Sequence, residues 1–216
     1  MKEYHKIQTI FKRDMENSGK IIEGNYSMPE FEFLKDNQWI FTEKVDGTNI
    51  RIMWDGQNVI FGGKTDNASI PVFLLYKLQE LFEGNKKELF KQKFVDKEGK
   101  LFDKVCLYGE GYGAKIQKGG GNYIPDGVSF VLFDVKIGET WLERESIEDI
   151  ANHFGLKIVP IIGTGTLTDA IEKVKVGFNS QWGDFLAEGI VLRPSVELKT
   201  RRGDRIITKI KYRDFH

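Results

Sequence analysis

The sequence is nearly free of cysteine. Cys106 stands alone, so no disulfide can form within the chain, and a reducing, cytoplasmic setting is expected. Cys106 lies in the apolar run Val105-Cys106-Leu107 and reads as a small core residue. The five prolines are scattered. No Pro/Ser-rich linker, internal repeat or low-complexity stretch divides the chain, so one domain over residues 1–216 is the simplest organisation. No run reaches the roughly 18 apolar residues of a membrane span, and no membrane partner is expected. Lys2, Lys6, Lys12 and Arg13 have no apolar segment behind them, so no secretory signal is expected. Charge of one sign is not in excess either: 32 Lys and Arg face 32 Asp and Glu. That balance argues against a protein held to nucleic acid by bulk charge. The three histidines are far apart in sequence and suggest no metal site.

What is present is a chain 40% hydrophobic and 12% aromatic, enough to build a core. One local basic stretch breaks the balance: Lys199, Arg201, Arg202, Arg205, Lys209, Lys211 and Arg213 face only Asp204 and Asp214. Residues 39–54 read as a strand from Trp39 to Glu43, an Asp46-Gly47 turn, and a second strand alternating through Ile50 and Ile52. Val59–Gly62, Val105–Tyr108, Val128–Val135, Gly189–Leu192 and Arg205–Tyr212 read as further strands. Residues 71–95 carry helical spacing, with Val72, Leu75, Leu78, Gln79 and Phe82 on one face and Pro71 in the first turn. A short helix is expected over Ser146–Phe154, capped by Ser146 and ended by Gly155. Another is expected over Leu167–Val174, capped near Leu167 or Thr168. The predicted class is α+β, mainly antiparallel sheets with flanking helices.

Chemistry concentrates first in Glu43-Lys44-Val45-Asp46-Gly47-Thr48-Asn49. A lysine at the end of an apolar strand is partly desolvated, which favours the neutral, nucleophilic amine. Asp46 falls on the same face of an extended chain two residues later. Read alone, the segment fits a surface hairpin with a solvated lysine equally well. It does not stand alone. Tyr108-Gly109-Glu110, Phe133-Asp134-Val135, Glu188-Gly189-Ile190-Val191 and Lys209-Ile210-Lys211 follow in order. Gly119-Gly120-Gly121 lacks a Walker pattern and reads as a mobile loop, with Lys115 and Lys118 as solvated lysines.

This ordered set resembles the covalent nucleotidyltransferases, which comprise DNA ligases, RNA ligases and capping guanylyltransferases. With Asn49 in Lys44-Val45-Asp46-Gly47-Thr48-Asn49, it is most similar to ATP-dependent RNA ligases of the phage RNA ligase 2 group, from about Trp39 to Lys211. The resemblance implies a ligase-type nucleotidyltransferase (adenylation) fold. It implies that Lys44 attacks the α-phosphate of ATP and carries AMP. Glu43, or the backbone beside it, would read the adenine edge within the polar neighbourhood of Thr42. Asn49 would contact the transferred phosphate or the nick end, and Glu110 the ribose hydroxyl. Phe133 would stack on adenine. Glu188 would bind Mg²⁺ or Mn²⁺, and Lys209 and Lys211 would hold the α-phosphate and orient pyrophosphate. Lys64 stands where the family usually has Arg, supplying a point charge without the bidentate fork.

The resemblance leaves three function classes. The first is an RNA ligase acting, as a monomer, on nicked duplexes or broken ends, with DNA-containing hybrids as further substrates. The second is a DNA ligase or capping enzyme, but these add an OB-type domain after the Lys209-Ile210-Lys211 motif, and here the sequence stops five residues past Lys211. The third is a nucleotide- or RNA-binding protein that kept the fold and lost turnover. For a ligase, phosphate contacts to RNA are expected from the basic stretch 199–213 and from Lys12-Arg13.

Overall fold

The strand ending at Glu43 and the strand that follows it do not pair as a hairpin; they belong to different sheets. The computed structural model describes residues 3–17 and 19–216, so Lys2 lies outside it. Contacts group the chain into two compact units. A split unit comprises His5–Val45 and Pro160–His216, and an inserted unit comprises Asp46–Val159 joined by Glu3 and Tyr4.

In chain order the split unit begins with β1 (Gln8–Thr9), β2 (Phe11–Arg13), β3 (Ile21–Tyr26), α1 (Pro29–Phe33) and β4 (Trp39–Glu43). The inserted unit holds β5 (Thr48–Trp54), β6 (Val59–Gly62), α2 (Val72–Phe82), α3 (Lys87–Lys93), β7 (Val105–Gly113) and α4 (Gly120–Tyr123). It continues with β8 (Val128–Ile137), β9 (Thr140–Trp141), α5 (Arg144–Phe154) and β10 (Lys157–Ile158). The split unit resumes with β11 (Ile161–Gly165), α6 (Leu167–Val176), β12 (Gly189–Pro194) and β13 (Thr208–Lys211).

The split unit's main sheet has the order β1-β13-β12-β4-β11, antiparallel except where β1 lies parallel to β13. Period-two alternation divides its faces. Trp39, Phe41, Ile190, Leu192 and Ile210 point into a core with Phe31 of α1 and Leu167, Ala170 and Val174 of α6. Burying each of the larger side chains contributes about 1.5–3 kcal/mol. Thr42, Val191 and Lys209 share one cross-strand row of the other face.

The inserted unit's sheet has the order β10-β8-β7-β5-β6, with β9 paired to β8. One face packs Ile50, Ile52, Trp54, Leu107, Phe130 and Leu132 against Leu74, Leu78 and Phe82 of α2, Phe90 of α3, and Ile150 and Phe154 of α5. The polar face carries the row Asn49, Glu110, Val131 and the row Arg51, Tyr108, Asp134. The α+β class with mainly antiparallel sheets is therefore as expected.

Several boundaries differ from the sequence reading. The helical spacing over 71–95 is broken at Gly84, whose φ of 60° starts a 3₁₀ turn between α2 and α3. Helix α5 begins at Arg144 with Glu143 as an N-cap making no side-chain bond, so Ser146 lies inside the first turn; Gly155 ends the helix as expected. Thr166 caps α6, exchanging hydrogen bonds reciprocally with Asp169. The strand expected over Arg205–Tyr212 is only Thr208–Lys211, while those from Val105 and Val128 run on to Gly113 and Ile137. Cys106 is buried, and burial pushes its thiol up to about 11, as befits an inert core residue. Among the described residues no helix is long and apolar enough to cross a membrane.

Candidate active site

Lys44 follows β4 directly and extends its ladder: its N–H donates to the Gly189 carbonyl at 2.9 Å. Alternation turns Glu43 to the core side and Lys44 to the polar face. There Lys44 Nζ lies 2.7 Å from Glu188 Oε2, and Lys211 Nζ lies 2.5 Å from Glu188 Oε1. One carboxylate therefore separates two ammonium groups, with side chains only 19%, 12% and 14% exposed for Lys44, Glu188 and Lys211. Gly189, beside Glu188, makes the approach possible. A Cβ there would sit 2.2 Å from the Ile210 carbonyl oxygen and 2.7 Å from Lys211 Cα. Lys209 lies two residues from Lys211 on the same strand face, opposite Val191. Thr42 Oγ1 donates to the Val191 carbonyl at 3.1 Å.

Glu43 is held in the core side of the same strand. Ser180 Oγ donates to its Oε1 at 2.5 Å and the Gln181 N–H donates to its Oε2 at 2.8 Å. Desolvation pushes the Glu43 carboxyl above the ordinary glutamate range, and the two donors oppose that rise. Both carboxylate oxygens are thus engaged within the split unit.

The remaining candidate residues lie in the inserted unit. Asn49 and Glu110 are direct cross-strand neighbours on the polar face. Asn49 Oδ1 is buried and has no hydrogen-bond partner among the described residues. Phe133 occupies the β-bulge where the β7–β8 register shifts between Tyr108 and Gly109. Its ring meets Tyr4 edge-on, with centroids 5.1 Å apart. Tyr4 Oη in turn donates to Asp134 Oδ2 at 2.7 Å. Lys64 is exposed in the loop after β6.

Some residues that matter here were silent in the sequence. Tyr4 precedes the first motif by forty residues and carries no motif signature. Tyr123 accepts the Asp46 N–H at 3.1 Å and Gln117 Nε2 donates to the Gly47 carbonyl at 3.0 Å. The triple-glycine loop is therefore not a free loop: it contains α4 and is tied to the Asp46-Gly47 backbone. The basic stretch is also less uniform than its composition. Arg205 is buried against Glu197 at 3.1 Å, and Lys211 is engaged by Glu188, leaving Lys199, Arg201, Arg202 and Arg213 exposed. Arg13, expected to contact phosphate, pairs with Asp214 at 2.6 Å.

Among the described residues there is no cluster of three or more His, Cys, Asp or Glu that would by itself hold a metal ion. Glu188 still fits a divalent cation: its two oxygens already attract two cationic groups, and the ammonium ions stand where hard cations bind carboxylate.

The RNA ligase family matches residues 37–211. No curated protein matches the chain. Among solved structures, a Naegleria gruberi RNA ligase variant with ATP and manganese superposes with a TM-score of 0.65 at 15% identity. The match covers 98% of this chain and 56% of that one. A second Naegleria gruberi variant with ATP and manganese gives 0.65 at 15% identity, over 99% of this chain and 63% of that one. The same organism's RNA ligase with pyrophosphate gives 0.62 at 17% identity, over 98% and 62%. These likenesses establish a shared fold. The chain spans between half and two thirds of each of those proteins.

Proposed function

Because the chain belongs to the RNA ligase family, we propose that it joins RNA 3′-hydroxyl and 5′-phosphate ends at the expense of ATP, through AMP carried on Lys44. The observation that carries this reading is the shared carboxylate: Lys44 and Lys211 hold opposite oxygens of Glu188 on one polar sheet face. Lysine adenylylation needs an amine at the α-phosphorus, positive charge for the phosphates and a carboxylate for a divalent cation; Lys44, Lys211 and Glu188 are side chains of those three kinds, with Lys44 released from Glu188 before it reacts.

In the first step Lys44 leaves Glu188, loses one ammonium proton to solvent and attacks the α-phosphorus of ATP; the P–N bond forms, the bond from that phosphorus to pyrophosphate breaks, and the nitrogen gives a second proton to solvent. In the second, a 5′-phosphate oxygen of RNA takes the AMP and frees Lys44. In the third, a 3′-hydroxyl attacks the activated 5′-phosphorus, its proton is lost, and AMP leaves. Lys209 and Lys211 neutralise phosphate charge. Mg²⁺ or Mn²⁺ held by Glu188 would polarise phosphate oxygens. Glu110 takes the ribose hydroxyl, Phe133 stacks on the adenine, and Asn49 and Lys64 take phosphate oxygens. With the Glu43 carboxylate engaged internally, the adenine edge falls to the backbone beside it and the neighbourhood of Thr42. Nicked duplexes and broken single-stranded ends are the substrate class, with DNA-containing hybrids as secondary substrates.

The test is protein labelling with α-labelled ATP and Mg²⁺, followed by joining of nicked RNA. Acid-labile label on the wild type, absent in Lys44→Ala, is expected. Label from GTP in place of ATP, or no label at all, overturns the reading.

A further inference from the structure

Arg51 is the largest charged side chain buried in the inserted unit, with 0% exposure. It lies on the polar face of β5, and its guanidinium reaches across the end of β6. Nε donates to the Gly63 carbonyl at 2.8 Å and Nη2 donates to Asp66 Oδ1 at 2.7 Å. Glu3 Oε1 accepts the Asp66 N–H at 2.9 Å, pinning the same loop a second time. Lys64 and Thr65, both exposed, lie between these anchors. The glycine pair before Lys64 makes room: a Cβ on Gly62 would stand 3.1 Å from Arg51 Nη2 and 3.3 Å from Nε.

The Asp66 arm of Arg51 contributes little to stability. A buried guanidinium costs several kcal/mol to desolvate, and Asp66, which faces it, is 77% exposed, so water screens much of the attraction. A planar fork is suited to something else, which is fixing a backbone loop in one conformation. A lysine on a long flexible stem benefits most from such a fixed base, because each degree of freedom removed beforehand is one fewer to lose on binding.

We propose that Arg51 is a positioning residue for Lys64: it holds the Gly63–Asp66 loop so that the Lys64 ammonium is presented to a nucleotide phosphate. The inference rests on the assignment of Lys64 to phosphate made above. It also accounts for how a point charge serves where the related family carries a forked arginine: the fork is on Arg51, one step behind the contact.

The test is a double-mutant cycle in the full chain, read both as the ATP dependence of protein labelling and as ATP affinity by calorimetry. Arg51→Lys keeps the charge and loses the fork. It is expected to raise the KM for ATP roughly tenfold, the size of one lost charge-assisted hydrogen bond, with a much smaller change in kcat. Asp66→Ala, a change on an exposed side chain, is expected to move KM the same way by about threefold, and it carries the test should Arg51→Lys fold poorly. In a Lys64→Ala background neither change has a further effect. Equal effects with and without Lys64, or an unchanged KM, overturn the role of Arg51 while labelling of the wild type upholds the ligase reading. A wild type that takes no label but whose ATP affinity shows the cycle overturns the ligase reading and upholds Arg51. A chain with no affinity for ATP overturns both.

Discussion

Lys44 and Glu188 are 144 positions apart in sequence and meet at 2.7 Å. Glu188 also separates Lys44 from Lys211, so the two ammonium groups are neighbours by way of one carboxylate. Removing the charge leaves two partly buried cations facing a neutral group. Glu188→Gln is expected to destabilise the protein by about 1–3 kcal/mol and to cut labelling from ATP at least a hundredfold. Urea midpoints and labelling rates measure the two effects. Wild-type labelling in Glu188→Gln would remove this carboxylate from the chemistry.

Gly189 sets how closely β12 approaches β13 at that carboxylate. Gly189→Ala places a methyl group 2.2 Å from the Ile210 carbonyl oxygen, so the strands must separate. The expected cost is about 2–4 kcal/mol, read as a lowered melting temperature, with labelling reduced even where the protein remains folded.

Glu43 gives the protein a pH signature. Its carboxyl is raised above its unfolded value, so the native state holds the proton more tightly than the unfolded chain does. The protonated form therefore favours the fold at low pH, and that advantage is lost as pH rises from the ordinary glutamate range through the folded value. In Glu43→Gln this dependence disappears. The melting temperature of Glu43→Gln minus that of the wild type should grow more positive between about pH 4 and pH 7. A constant difference across that window would mean that burial does not tax this carboxylate.

Tyr4 supports Phe133 with its ring and Asp134 with its hydroxyl. Tyr4→Phe should cost about 1–2 kcal/mol of stability, because Asp134, at 0% exposure, loses a donor. Tyr4→Ala should in addition raise the KM for ATP several-fold, since Phe133 loses its edge-on neighbour. Identical KM values for the two variants would separate the Phe133 ring from the tyrosine.

The placement of the candidate residues was legible in the sequence where it follows from strand position. Lys209 and Lys211 share a face because they are two apart, and Glu188 was recognisable from the motif it opens. The core face of β4 followed from its alternation, but that of α2 did not: Leu74, Leu78 and Phe82 form it, and Val72, expected on the same face as Leu78, is exposed. What stayed hidden depends on pairing between distant segments. Nothing near Tyr4 announces Phe133, and Arg51 looks like an ordinary outward residue of an alternating strand until β6 and its loop are placed beside it. The hairpin reading of residues 39–54 failed for the same reason. Asp46-Gly47 is a sound turn signal, but the chain passes through it to join a different sheet. Arg205 and Arg13 are expected at phosphate by charge alone, and their pairing with Glu197 and Asp214 had no signal in the sequence.

The parallel pairing of β1 with β13 has a consequence for biosynthesis. Gln8 and Thr9 lie beside Thr208 and Lys209, so β1 must wait for a partner synthesised 200 residues later. Residues 46–159, by contrast, form contacts largely among themselves and are complete much earlier. The loop closed by β1 and β13 spans 200 residues, which makes it slow to form. Since Lys211 and Glu188 reach their places through β13 and β12, a nascent or truncated chain has Lys44 long before it has the groups that surround it. Assembly of the carboxylate and its two lysines is therefore a late folding event, tied to completion of the strand that contains Lys211.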